Sequence, residues 1–202
     1  MKKFFVALLF ISGTCLFAQN ITTASAYFKT ISEYYSTLKD YEVDFEIKVN
    51  KTESAGKLSY KAPDLIRMDY TNPGEQVIVF NGDSLTIYLP NSDAVLEQDV
   101  SPGSTGNAAS LSTGQGLSLM SRYYTVAYET GQTAEPLEEG SDEMVVKFIL
   151  TRKSNVEAFK AIKIAVNENT KLIRRIIAIT PKDEEFVFDF FTINAFGLEE
   201  LF

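Results

Sequence analysis

The chain has 202 residues, 45% of them hydrophobic, which is enough for one domain with a substantial core. Its formal charge is −8, and −10 once Lys2 and Lys3 at the start are set aside. A protein this acidic repels phosphate backbones and gains little from anionic lipid head groups, which argues against nucleic-acid binding and charge-driven membrane attachment.

Residues 1–18, MKKFFVALLFISGTCLFA, have a basic start, an apolar stretch from Phe4 to Ile11 and a small-residue end. That is the pattern of a secretory signal peptide, with cleavage expected after Ala18 and residues 19–202 as the mature domain. Lipidation at Cys15 is the alternative, against which Thr14 makes a poor residue before the cysteine. With Cys15 removed, the mature chain has no cysteine and no disulfide. The expected location is an extracytoplasmic compartment.

Thr22 to Lys39 reads as an amphipathic helix, with Tyr27, Ile31, Tyr34, Tyr35 and Leu38 at three- and four-residue spacings. Thr23 and Ser25 are the candidate caps. The period changes to two at Tyr41, where Val43, Phe45, Ile47 and Val49 alternate with charged residues, and Leu58 and Tyr60 continue it up to Pro63. Strands around Arg67–Tyr70, Gln76–Phe80 and Leu85–Leu89 follow, with Asn81-Gly82 suited to a tight hairpin. Ser101 to Gly116 is small, polar and glycine-rich and reads as a loop; its spacing matches no phosphate-binding motif. A short helix is expected from Leu117 to Arg122, and strands at Tyr123–Glu129, Met144–Arg152, Ala158–Val166, Leu172–Thr180 and Phe186–Ile193. The acidic break from Gln132 to Glu143 reads as a solvated loop, with a calcium site a weak alternative. The total is about ten strands and one long helix, hence a single α+β domain on one large antiparallel sheet.

So wide a sheet has more apolar face than one or two helices can cover. It must curl into a barrel or half-barrel, or hold an apolar cavity, unless the core is packed throughout. Catalytic machinery is hard to find. There is no histidine, the single cysteine lies in the leader, and no Gly-x-Ser-x-Gly elbow occurs. No cofactor or metal is called for. Strand parity nominates Phe45, Ile47, Leu58, Tyr60, Ile66, Met68, Tyr70, Val77, Val79, Leu85 and Ile87 as one apolar face. Ordinary core packing explains any one of them equally well; a lipid site explains the set.

The stretch from Gly56 to Pro90 also carries a family resemblance. Gly56-x-Leu58, Lys61-Ala62-Pro63, Leu65-Ile66-Arg67-Met68-Asp69-Tyr70, Asn72-Pro73, Val77-Ile78-Val79, Asn81-Gly82 and Leu85-x-Ile87-Tyr88 resemble the signature of the LolA family, periplasmic carriers of lipoproteins to the outer membrane. Ala62 stands where the family often has Arg, and Met68 where it often has Trp. The resemblance implies an unclosed half-barrel with a short helical lid, whose apolar interior accepts acyl chains. It also implies a monomer that is loaded by an inner-membrane releasing complex and unloaded at an outer-membrane acceptor. Two rivals remain: a lipid-sensing regulatory module on the same fold, and a secreted hydrolase, for which no convergent acid and base is evident.

Overall fold

A computed structural model describes residues 22–99 and 113–191. The expected leader (1–18), most of the glycine-rich loop and the last residues of the chain lie outside the described residues. Helix α1 (Ala24–Thr37) starts at Thr23, whose hydroxyl accepts the Ala26 N–H at 3.2 Å and so satisfies one otherwise unpaired first-turn donor. Twelve strands then form one antiparallel sheet: β1 (Asp40–Val49), β2 (Thr52–Lys61), β3 (Leu65–Asn72), β4 (Val77–Phe80), β5 (Ser84–Leu89), β6 (Ala94–Asp99), β7 (Tyr124–Tyr128), β8 (Glu135–Pro136), β9 (Met144–Arg152), β10 (Ala161–Asn167), β11 (Ile173–Ile179) and β12 (Glu185–Phe190). Helix α2 (Gly114–Tyr123) lies between β6 and β7 and is capped by the Thr113 hydroxyl, which accepts the Gly116 N–H.

The strand order is β6-β5-β4-β3-β2-β1-β12-β11-β10-β9-β7, with β8 joining β9 beyond β7's reach. Two meanders are therefore stitched together where the first strand meets the last, Phe45 opposite Phe190. The path begins at β6 and ends at β7 without these two pairing, so the barrel is open. The α+β class and the unclosed half-barrel expected from the resemblance are what the fold is.

Both helices pack inside the curve. Tyr27 and Phe28 each set a ring edge-on to Phe148 of β9, at 5.7 Å between centroids. Tyr35 meets Tyr41 at the start of β1, and its phenol oxygen accepts the Ile173 N–H of β11 at 2.7 Å. Leu117 and Met120 of α2 are fully buried in the same core as Val146, Leu150, Ile162, Ile164 and Ile176. The helices approach closely where α2 begins. The Ser32 hydroxyl donates to the Gly114 carbonyl, and a side chain at Gly114 would lie 2.7 Å from the Ser36 backbone nitrogen.

Two strands went unread in the sequence, β6 and β8. The acidic break is only partly solvated. It carries β8 across the outer face of the sheet, where Glu135 pairs with Lys147, Glu129 with Lys163, Glu138 with Arg175 and Glu143 with Arg174. These cations hold the Glu135 and Glu138 carboxyls below the usual carboxylate range, in each case mainly by a direct hydrogen bond.

Candidate apolar binding face

The register of β1 to β6 aligns the concave side chains in rows that cross six strands. One row reads Val43, Leu58, Met68, Ile78, Ile87 and Leu96. A second reads Tyr41, Tyr60, Ile66, Phe80, Leu85 and Gln98 by the same pairings. A third places Phe45, Gly56 and Tyr70 side by side, with the two rings meeting at 5.2 Å above the glycine. Alternation explains the rows on β1 to β3, because every second residue of a strand shares a face and these strands alternate apolar with polar.

Along the first row burial falls steadily. Val43 and Leu58 are 2% exposed and Met68 5%, Ile78 and Ile87 are half-buried, and Leu96 is 55% exposed. The β1–β3 end of the face is thus packed core, while the β4–β6 end is open apolar surface. None of the concave positions of β1 to β6 carries a charged side chain. Its polar groups are uncharged, among them the tyrosine hydroxyls, Ser54 and Gln98. Tyr60 donates to the Pro63 carbonyl at 2.9 Å, and burial pushes the Tyr70 phenol above its ordinary range.

Of the eleven nominated residues, nine lie on this face: Phe45, Ile47, Leu58, Tyr60, Ile66, Met68, Tyr70, Leu85 and Ile87. Val77 and Val79 do not. Val79 pairs with Arg67 and Thr86, and Val77 with Asp69 and Tyr88, which puts both on the convex side. Ile78 and Phe80 take their place. The cause is that β4 is apolar at all four positions, so alternation carries no information there, and the connection from β3 sets the register instead. Leu96 was missed with its strand; the only signal was the short Ala94-Val95-Leu96 run after Asn91-Ser92-Asp93.

Among the described residues, clefts lie elsewhere. One of about 440 Å³ sits at the β9–β10 turn. A second, about 420 Å³, separates α1, α2 and β7, and a third, about 200 Å³, lies under the β8 segment. None of the eleven residues lines them. The apolar face can hold apolar chains by contact alone, at about 25 cal/mol for each Å² withdrawn from water.

The described residues thus form an unclosed antiparallel half-barrel with helices in its concavity and an uncharged, part-open apolar face. The family model described as outer membrane lipoprotein carrier protein LolA matches residues 36–197. The chain belongs to the LolA family. Among its relatives is the outer-membrane lipoprotein carrier protein of Pseudomonas aeruginosa strain PAO1, 28% identical over 113 residues, 56% of this chain and 49% of that one. The Haemophilus ducreyi carrier protein is 27% identical over 165 residues, 77% of this chain and 71% of that one. The chain spans about half the length of the first curated relatives it matches. Solved structures share the fold at low identity. An uncharacterized conserved protein from Thermus thermophilus has a TM-score of 0.56 at 11% identity, covering 86% of this chain and 88% of that one. The Mycobacterium tuberculosis lipoprotein LppX has a TM-score of 0.51 at 14% identity, covering 85% and 95%.

Proposed function

We propose that this protein is a periplasmic carrier that takes the acyl chains of lipoproteins onto the concave face of β3 to β6 and transfers them toward the outer membrane. The observation that carries the proposal is the row from Val43 to Leu96, uncharged throughout and increasingly open toward β6. Each acyl methylene withdrawn from water contributes about 0.8 kcal/mol, so a few chains need a surface of this kind to cross an aqueous compartment. Met68 and the half-buried Ile78, Phe80, Leu85 and Ile87 adapt to an occupant more readily than a fully packed core does. In this reading the protein is not an enzyme, and it works as a monomer between an inner-membrane releasing complex and an outer-membrane acceptor. Residues 1–18 serve as a cleaved signal peptide, and 19–202 form the carrier domain. Among the described residues no helix is long and apolar enough to cross a membrane.

The experiment is binding of a triacylated lipopeptide and of its deacylated counterpart, with mass spectrometry of lipid that co-purifies. The acylated form should bind and the deacylated form should not. Equal binding of the two, with no lipid retained, would falsify the carrier reading. Ile87→Glu should weaken acyl-peptide binding about tenfold or more, because a carboxylate must be desolvated against the chain. Val79→Thr, on the convex side, should leave binding unchanged. A mature N-terminus at Gln19, read by sequencing the secreted product, tests the leader.

A further inference from the structure

The sheet has two ends, and they are treated differently. At one end β7 is flanked by both helices, and the Tyr128 hydroxyl donates to the Thr22 carbonyl. At the other end β6 has, among the described residues, β5 as its one strand neighbour, and all but its first residue are exposed; Val95 is 63% and Leu96 55% exposed. An uncovered edge strand presents a row of backbone donors and acceptors to another strand.

The charge around this edge is one-sided. Asp69 on β3 is neutralised by Arg67, but from Tyr70 to Ser121 the chain has five carboxylates (Glu75, Asp83, Asp93, Glu97 and Asp99) and no lysine or arginine. On β6 itself the two sides differ as well. Register puts Val95, Glu97 and Asp99 on the convex side and Ala94, Leu96 and Gln98 on the concave side. Acidic residues on an edge oppose pairing with a second copy, since Glu97 and Asp99 would face more of their own kind. They do not oppose a strand of opposite charge.

We propose that β6 is a docking edge for an extended cationic segment of a partner protein, which adds to the sheet as a further strand. The recognised segment alternates residue by residue. Its lysines or arginines lie on the convex side beside Glu97 and Asp99, and its apolar residues lie on the concave side beside Ala94 and Leu96. Main-chain hydrogen bonds supply affinity and the alternation supplies selectivity. The segment would extend the apolar row past Leu96, placing the partner at the open end of the face. The inference stands apart from the carrier reading, because the docking strand carries no acyl chain.

The test uses the mature protein and three capped octapeptides: alternating Lys and Val, alternating Glu and Val, and the Lys/Val peptide N-methylated at alternate residues. The Lys/Val peptide should bind, more weakly as salt rises, and should slow hydrogen exchange at Ala94–Asp99 but not at Tyr124–Tyr128. N-methylation, or Glu97→Lys with Asp99→Lys, should each weaken binding about tenfold. Circular dichroism and urea unfolding establish that the double variant is folded. The proposal is overturned if N-methylation has no effect, if the Glu/Val peptide binds equally well, if protection falls elsewhere, if nothing binds, or if sedimentation shows the free protein already paired through β6.

Discussion

Gly56 shows how a single residue sets the shape of the face. It lies between Phe45 and Tyr70 on neighbouring strands, and the space above it is where their rings meet. A Cβ there would come within 2.9 Å of both the Phe45 ring and the Tyr70 Cα, and the Asp69 carbonyl lies closer still. Gly56→Ala should therefore cost about 3 kcal/mol in urea unfolding, since backbone has to move to admit one methyl group. Tyr35 is a second such residue. Its oxygen accepts the buried Ile173 N–H, and burial, followed by Tyr41, drives its phenol far above the ordinary range. Tyr35→Phe leaves that N–H without this acceptor, and should lose about 1–3 kcal/mol at neutral pH. A phenol whose pKa is raised by folding contributes stability below the unfolded value, about 10, and loses it as pH rises beyond. Wild-type stability should thus fall above pH 10 more steeply than that of the variant, which denaturant titrations at the two pH values would reveal.

At the level of elements, the β8 segment is tied to the sheet by acid–base pairs as well as by its pairing with β9 and the partly buried Ala134. Glu135 hydrogen-bonds Lys147 and is held below the usual carboxylate range. Folding lowers that pKa, so the contribution is present above about pH 4.3 and is lost as pH falls through the depressed value. Acidification should release β8 before the sheet unfolds, seen as rapid amide exchange at the β8–β9 pairing while β10 stays protected. Lys147→Met should raise the Glu135 titration midpoint toward its ordinary value by NMR. No change in that midpoint would mean that the ion pair does not form in solution.

Over the whole molecule, packing is graded across the sheet. Strands β9 to β12 and β1 lie against α1 and α2 in a continuous core, whereas β4 has no fully buried residue and β6 is almost wholly exposed. Native-state hydrogen exchange should follow that grade, slowest in β9, β10 and β11 and fastest at β6, because local opening costs little where few apolar contacts are broken. Uniform protection across the sheet would argue that the β4–β6 end is covered in solution. The same end carries Glu97 and Asp99 on its convex side, behind the uncharged open part of the face. Salt should accordingly change partner docking more than it changes acyl binding, which a pair of titrations at low and high ionic strength can compare.

Much of this was legible in the chain. Period-two alternation in β1, β2 and β3 placed Phe45, Leu58, Tyr60, Ile66, Met68 and Tyr70 on one face, because a strand must turn alternate side chains the same way. The 3.6-residue period marked α1, although it passed over Phe28, which is fully buried against Phe148. Where local pattern is silent, only long-range pairing decides. The four apolar residues of β4 have no parity of their own, and β6 is too short and too polar to stand out. β8 exists only through its pairing with β9. The sequence alone determined one large antiparallel sheet with a broad apolar side, because the alternation of β1 to β3 and the number of strands are local properties. Which residues complete its apolar face and which strands lie farthest from the packed core were decided by strand register and by where the two helices pack, since neither is encoded in any one segment.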